Sequence, residues 1–160
     1  MGLEVITDEF ISKLIKIKKS VENPRTRKKR ESGNERATYT LYDEEGNRYD
    51  LYLRQNYYLG MSDDFSCGLS WLMTGGEYFT LIRYNGSSHI HFNKIERNRL
   101  SFICHIHKAT KKYLDETGIA DGFAEESSRY STLEEALFCL IQDCNIEGLN
   151  INPMQGEFKL

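Results

Sequence analysis

Several absences narrow the reading of this 160-residue chain. Its four cysteines, Cys67, Cys104, Cys139 and Cys144, include no CxxC pair, so neither a zinc ribbon nor a short disulfide framework is signalled. They read as reduced thiols that pack as small apolar residues. No apolar run approaches the ~18 residues that span a bilayer, and the opening MGLEVITDEF has no basic leader ahead of an apolar core. The expectation is a cytoplasmic protein without a membrane partner. Ile6 stands where a myristoylation signal wants Ser or Thr, so lipidation is not expected either. A basic excess is missing as well: the net charge of −3 argues against wholesale coating of nucleic acid, while leaving room for a local patch.

What is present points to one globular domain over residues 1–160. Apolar residues at 39% and charged residues at 28% lie away from the disordered class. A chain of this length buries roughly two-thirds of its unfolded surface. Ten tyrosines and eight phenylalanines, many alternating with polar residues, favour strands in the middle of the chain.

The periodicities divide the chain. Apolar Ile6, Phe10, Ile11, Leu14, Ile15 and Ile17 predict an amphipathic helix over 6–19, capped by Thr7 or Asp8. Glu22-Asn23-Pro24 stops it, and residues 20–36 read as a basic loop or strand edge. From 37 to 107 the period is two. Tyr39 to Leu53 forms a hairpin, Phe65 to Met73 pairs with Tyr78 to Tyr84, and a strand from Leu100 to His107 puts Leu100, Phe102, Cys104 and Ile106 on a core face. A short helix is expected over Lys111 to Glu116, ended by Gly118. The capping box Thr132-x-x-Glu135 opens a helix over 132–145. Residues 148–160, with Pro153 and Gly156, read as a loose tail. The fold class is therefore α+β: an antiparallel sheet of about five strands packed by an N-terminal and a C-terminal helix.

All four histidines fall in two identical tripeptides, His89-Ile90-His91 and His105-Ile106-His107. On a strand, residues i and i+2 share a face about 6.7 Å apart, so each tripeptide projects two imidazoles from one side. If the two segments pair antiparallel, four imidazoles converge. Such a group passes protons in phosphodiester cleavage, or ligates zinc, nickel or iron. The same tripeptides also suit a sheet with one wet face. No carboxylate stands at a distinctive metal spacing, and no H-E-x-x-H occurs. No cofactor is thus expected, with zinc or another divalent ion through the histidine pairs as the exception. Arg83 precedes His89 and suits a phosphate clamp or a cross-strand ion pair. Arg25, Arg27, Lys28, Lys29 and Arg30 suit the backbone of a nucleic acid, RNA in particular.

Leu81-Ile82-Arg83-Tyr84-Asn85-Gly86, the His-Ile-His segment that follows, and Asp143-Cys144-Asn145-Ile146 together resemble a family of small bacterial proteins with no assigned activity. The arginine running into two histidine pairs and a C-terminal helix is also similar to the TumE-like group of toxin–antitoxin proteins. That group carries Asp-Asn where this chain has Tyr84-Asn85. The resemblance implies a toxin or mobile-element context, with Arg83, His89, His91, His105 and His107 as matched positions. Three functions then stand side by side. One is a toxin-like RNA-binding or RNA-cleaving protein, a metal-independent ribonuclease. Another is a non-catalytic module that binds a cognate protein, an antitoxin or an inhibitor of a host or phage factor, through Trp71, Tyr57 and Tyr58. The third is a metal-binding protein.

Overall fold

The computed structural model describes residues 5–152 and 157–159. Helix α1 spans Asp8–Lys16, and Thr7 caps it by accepting the Phe10 N–H at 3.1 Å. Strands β1 (Lys19–Val21), β2 (Lys29–Glu31), β3 (Asn34–Asp43), β4 (Arg48–Asn56), β5 (Phe65–Leu72) and β6 (Tyr78–Asn85) follow. Then come β7 (Ile90–Asn93), β8 (Asn98–Ser101), β9 (His105–Lys108), α2 (Lys111–Thr117) and β10 (Ala124–Glu126). Helix α3 (Leu133–Asp143), β11 (Ile146–Glu147), β12 (Asn150–Asn152) and β13 (Glu157–Lys159) complete the order.

The α+β class is as expected, but the main sheet has nine strands where about five were expected. Its order is β10-β9-β6-β5-β4-β3-β1-β11, with β2 also on β3. All its pairings are antiparallel except β1 with β11. Strands β7 and β8 form a separate two-stranded ribbon, as do β12 and β13. The supposed basic loop at 20–36 thus contains strand β2, with a further strand, β1, at its start. The tail is not loose throughout: Leu149 is buried and β12 pairs with β13. Pro153 and Gly156 lie outside the described residues.

Period-two alternation gives the sheet two faces. One carries Tyr39, Leu41, Leu51, Leu53, Phe65, Cys67 and Leu69, all buried, beneath α1 and α3. Phe10 of α1 meets Trp71 edge to face at 5.3 Å, and Leu133, Ala136, Leu137 and Leu140 form the buried stripe of α3. Thr132 caps α3 as expected, while the Glu135 carboxylate returns to the Ser131 N–H at 2.9 Å. Tyr84 donates to Asp143, which Arg129 grips at 2.8 and 2.9 Å, fastening α3 to β6. The opposite face is polar, and it builds the site.

Two expectations fail for non-local reasons. The first helix ends at Lys16 rather than 19, because Lys19 has better partners inside. Its ammonium donates to the carbonyls of Ile15, Ile17 and Cys144 at 2.8, 2.8 and 2.9 Å, beneath the Tyr49 ring. It thereby ties the ends of α1 and α3 together, where the carbonyl ends of helices favour a cation. The strand from Leu100 to His107 also breaks. Phe102 adopts φ +50 and is 64% exposed, so β8 and β9 belong to different sheets, and the expected core face of that strand dissolves at Phe102.

Candidate active site

Strands β6 and β9 pair with Arg83 opposite His107 and Asn85 opposite His105. Directly opposed residues share a face, so these four side chains stand together on the polar side. Ala124 opposes His107 on β10 and leaves the imidazole room. The turn after β6 requires Gly86: a Cβ there would lie 2.1 Å from the Asp63 carbonyl oxygen. Beyond it the chain lifts off the sheet, and the β7–β8 ribbon folds back across the polar face.

That fold-back, and not pairing between the two tripeptides, brings the histidines together. His91 stacks on His105 at 5.7 Å between ring centroids and meets His107 edge-on at 4.6 Å. His89 meets His105 at 4.9 Å, and His105 meets His107 at 5.2 Å. The convergence expected from the sequence is present. The environment differs from a wet sheet face, since His105 and His107 are only 0% and 3% exposed.

Backbone carbonyls select the tautomers. A carbonyl only accepts, so His105 Nδ1 donates to Ile103 O and His107 Nδ1 donates to Asp121 O, each at 2.8 Å. In the neutral rings Nε2 is then the basic nitrogen. The Asn93 amide is oriented by Ala124, accepting its N–H and donating to its carbonyl. His91 Nε2 therefore donates to Asn93 Oδ1 at 2.9 Å and to Gly122 O at 3.0 Å. Tyr130 braces the two strands by donating to the carbonyls of both Asn85 and His105.

The electrostatics keep the deep rings neutral. Burial, and next the Arg83 guanidinium, push His107 down to about 3. Burial also lowers His105, against its bond to Ile103. At the exposed rim His89 is lowered by burial too, with the Asp64 carboxylate opposing. Arg83 pairs with Asp121 at 3.5 Å and meets the Tyr52 hydroxyl, whose ring occupies the space that a side chain at Gly68 would fill. Two buried polar atoms here lack a partner: Arg83 Nε, a donor, and Asn85 Oδ1, an acceptor. Both residues line a cleft of about 340 Å³, with His89, His91, His107 and Lys94 around it.

The site residues read from the sequence thus divide. Arg83, His89, His91, His105 and His107 come together. Of the basic run only Lys29 and Arg30 lie on β2, and they point to opposite sides: Lys29 opposes Arg36, while Arg30 opposes and ion-pairs with Glu35. Trp71 is buried at 3% exposure and cannot serve a contact face, whereas Tyr57 and Tyr58 are exposed. Asn85, Asn93, Asp121 and Tyr130 were not foreseen. Only Asn85 had a local signal, lying two residues from Arg83 on a strand. All four cysteines are buried and free, with burial raising each thiol, so they remain apolar packing.

Among the described residues, no group of three or more His, Cys, Asp and Glu side chains is arranged to hold a metal ion, and no helix is long and apolar enough to cross a membrane. Compared with protein-family models, curated proteins and solved structures, the chain matches none.

Proposed function

We propose that the cleft is a general acid–base site that cleaves RNA, in the toxin-like context the sequence resemblance implies. One observation carries this reading: three of the four convergent imidazoles, His89, His91 and His107, line a cleft with Arg83 and Asn85, which hold a buried donor and a buried acceptor that lack partners. An unpaired buried polar atom costs about 1–3 kcal/mol, so the cleft suits a ligand with one acceptor and one donor. A phosphodiester oxygen answers Arg83 Nε. A ribose 2′-hydroxyl beside it answers Asn85 Oδ1. RNA offers both groups at one linkage, and DNA lacks the second.

His89 and His107 both line the cleft, and the substrate phosphorus is placed between them. His107 Nε2 takes the 2′-hydroxyl proton, and the 2′-oxygen forms a bond to phosphorus. The bond from phosphorus to the 5′-oxygen breaks, and protonated His89 gives its proton to that oxygen. The ends are a 2′,3′-cyclic phosphate and a 5′-hydroxyl, and solvent returns the proton from His107 to His89. A substrate phosphate on Arg83 offsets the cation that helps depress His107, so substrate itself raises the basicity of that ring. The test is incubation of purified protein with labelled RNA in the presence of a chelator. Cleavage that is lost in His105→Ala with His107→Ala, under an unchanged circular dichroism spectrum, supports the reading; persistence in the double variant removes it.

The second reading is a metal site. It is favoured by the fixed tautomers, because ligating imidazoles anchor their other N–H on carbonyls in this way. The rings would have to move to share an ion. Stoichiometric metal in protein purified without chelator, and cleavage that needs it, would put this reading first.

A further inference from the structure

Following the strand registers outward from the histidines traces one row across the polar face. His105 opposes Asn85, Asn85 opposes Ser66, and Ser66 opposes Arg54. Arg54 in turn opposes Arg36, and Arg36 opposes Lys29. Directly opposed residues share a face, so six side chains on six neighbouring strands form a line. At the usual strand spacing the line is roughly 24 Å long. It runs from exposed Lys29 and Arg36, through half-buried Arg54 and Ser66, to buried Asn85 and His105.

Three neighbouring cations in such a row are unfavourable for the fold alone, since like charges directly opposite on paired strands repel. Arg54 is relieved by Asp64 at 2.9 Å. Lys29 and Arg36 enter none of the ion pairs among the described residues. Residues 25–36 hold six cations and two carboxylates in a chain whose net charge is −3. An anionic strand laid across these residues supplies the missing counter-charge. A single strand fits better than a duplex, because the row ends in a half-open cleft of about 340 Å³ flanked by His91 and Phe92 of β7, which admits one unpaired chain.

We infer that this row is the track for a single-stranded RNA, whose phosphates lie on Lys29, Arg36 and Arg54 while one linkage enters the histidine cleft. The inference rests on the RNA reading of the cleft and adds the path and the strandedness of the substrate. It also replaces the basic run of the sequence by a different set: Lys29 is retained, and Arg36 and Arg54 join it.

The test measures binding without cleavage. The probe is a fluorescein-labelled RNA of about twelve nucleotides with every 2′-hydroxyl methylated, so it cannot be cut, and affinity is read by anisotropy over a salt series on the full chain. Each phosphate contact on a single strand contributes about 0.7 to the slope of log K against log salt. Lys29→Gln with Arg36→Gln therefore lowers the slope by about 1.4 and weakens binding at low salt. Lys13→Gln with Lys16→Gln, the same charge change on α1 across the sheet, leaves the slope as it was. Equal slopes in wild type and the Lys29/Arg36 variant, an equal loss in the α1 variant, or tighter binding of the duplex form overturns the track. A slope change in a protein that cuts no RNA leaves the track standing and removes the catalytic reading. Cleavage with an unchanged slope does the reverse.

Discussion

The side chain of Asn93 pairs with the backbone of Ala124 as a strand would, accepting its N–H at 2.9 Å and donating to its carbonyl at 2.8 Å. Asn93 is 1% exposed, so this bridge is shielded from water. It clips the β7–β8 ribbon to the sheet edge, and the same Oδ1 takes the His91 N–H. One amide thus serves both the packing of the hairpin, beside the Tyr113 hydroxyl that bonds Ile95 and Glu96, and the orientation of His91, beside the Gly122 carbonyl.

Asn93→Ala leaves the Ala124 N–H without its acceptor and costs about 1–3 kcal/mol. The effect is predicted to be local as well as global. Amide exchange over residues 90–101 speeds up more than in β3 to β5, while His91 keeps its Nε2–H tautomer through the Gly122 carbonyl. Uniform acceleration across the sheet would contradict the clip.

Stability is predicted to fall as pH falls below about 6.5. The sign follows from the shift: His107 is depressed to about 3 in the fold, against an ordinary 6.5 when unfolded. Between these values the unfolded chain binds a proton that the folded chain refuses, and each pH unit removes up to about 1.4 kcal/mol. His105, also depressed by burial, contributes in the same direction. Urea midpoints measured from pH 7 to pH 5 should drop in wild type and drop less in His107→Asn. Equal slopes would show that His107 is not held neutral by the fold.

Asn85→Leu separates function from stability. The substitution removes a buried acceptor that has no partner and only a long 3.4 Å contact to His105, so the unfolding free energy should change by less than about 1 kcal/mol. Cleavage should nevertheless fall by about a hundredfold, since the group that meets the 2′-hydroxyl is gone. A parallel loss of stability and activity would assign Asn85 to packing.

Anion binding should reverse the depression of His107. Inorganic phosphate on Arg83 screens the guanidinium that ranks next to burial in lowering the ring, so the His107 titration moves upward as phosphate is added. With Arg83→Gln the starting value is higher and the phosphate effect disappears. No movement in wild type would place the anion elsewhere.

How much of this was legible in the sequence depended on the range of the forces. Helix α3 was readable because Thr132, Glu135 and the stripe from Leu133 to Leu140 are a local pattern. The pairing of Arg83 with two histidine pairs was readable as a possibility, because alternation on a strand is local too. Burial of His105 and His107 was not, since it comes from a ribbon that folds over them after the break at Phe102, and the alternation from Leu100 to Ile106 conceals that break. Lys19 looked like a helix-face lysine because the acceptor that removes it from the helix, Cys144 O, is 125 residues away. The row from Lys29 to His105 exists only through five strand registers, none of which can be read from one segment.

The most direct measurement is cleavage of a short RNA compared with the same strand carrying 2′-deoxyribose at the cut linkages, by wild type and by His107→Asn. The account predicts that wild type yields 2′,3′-cyclic phosphate ends from the RNA and leaves the deoxy strand whole, and that His107→Asn slows cleavage by about a hundredfold or more. Cutting of the deoxy strand, or full activity in His107→Asn, would contradict it.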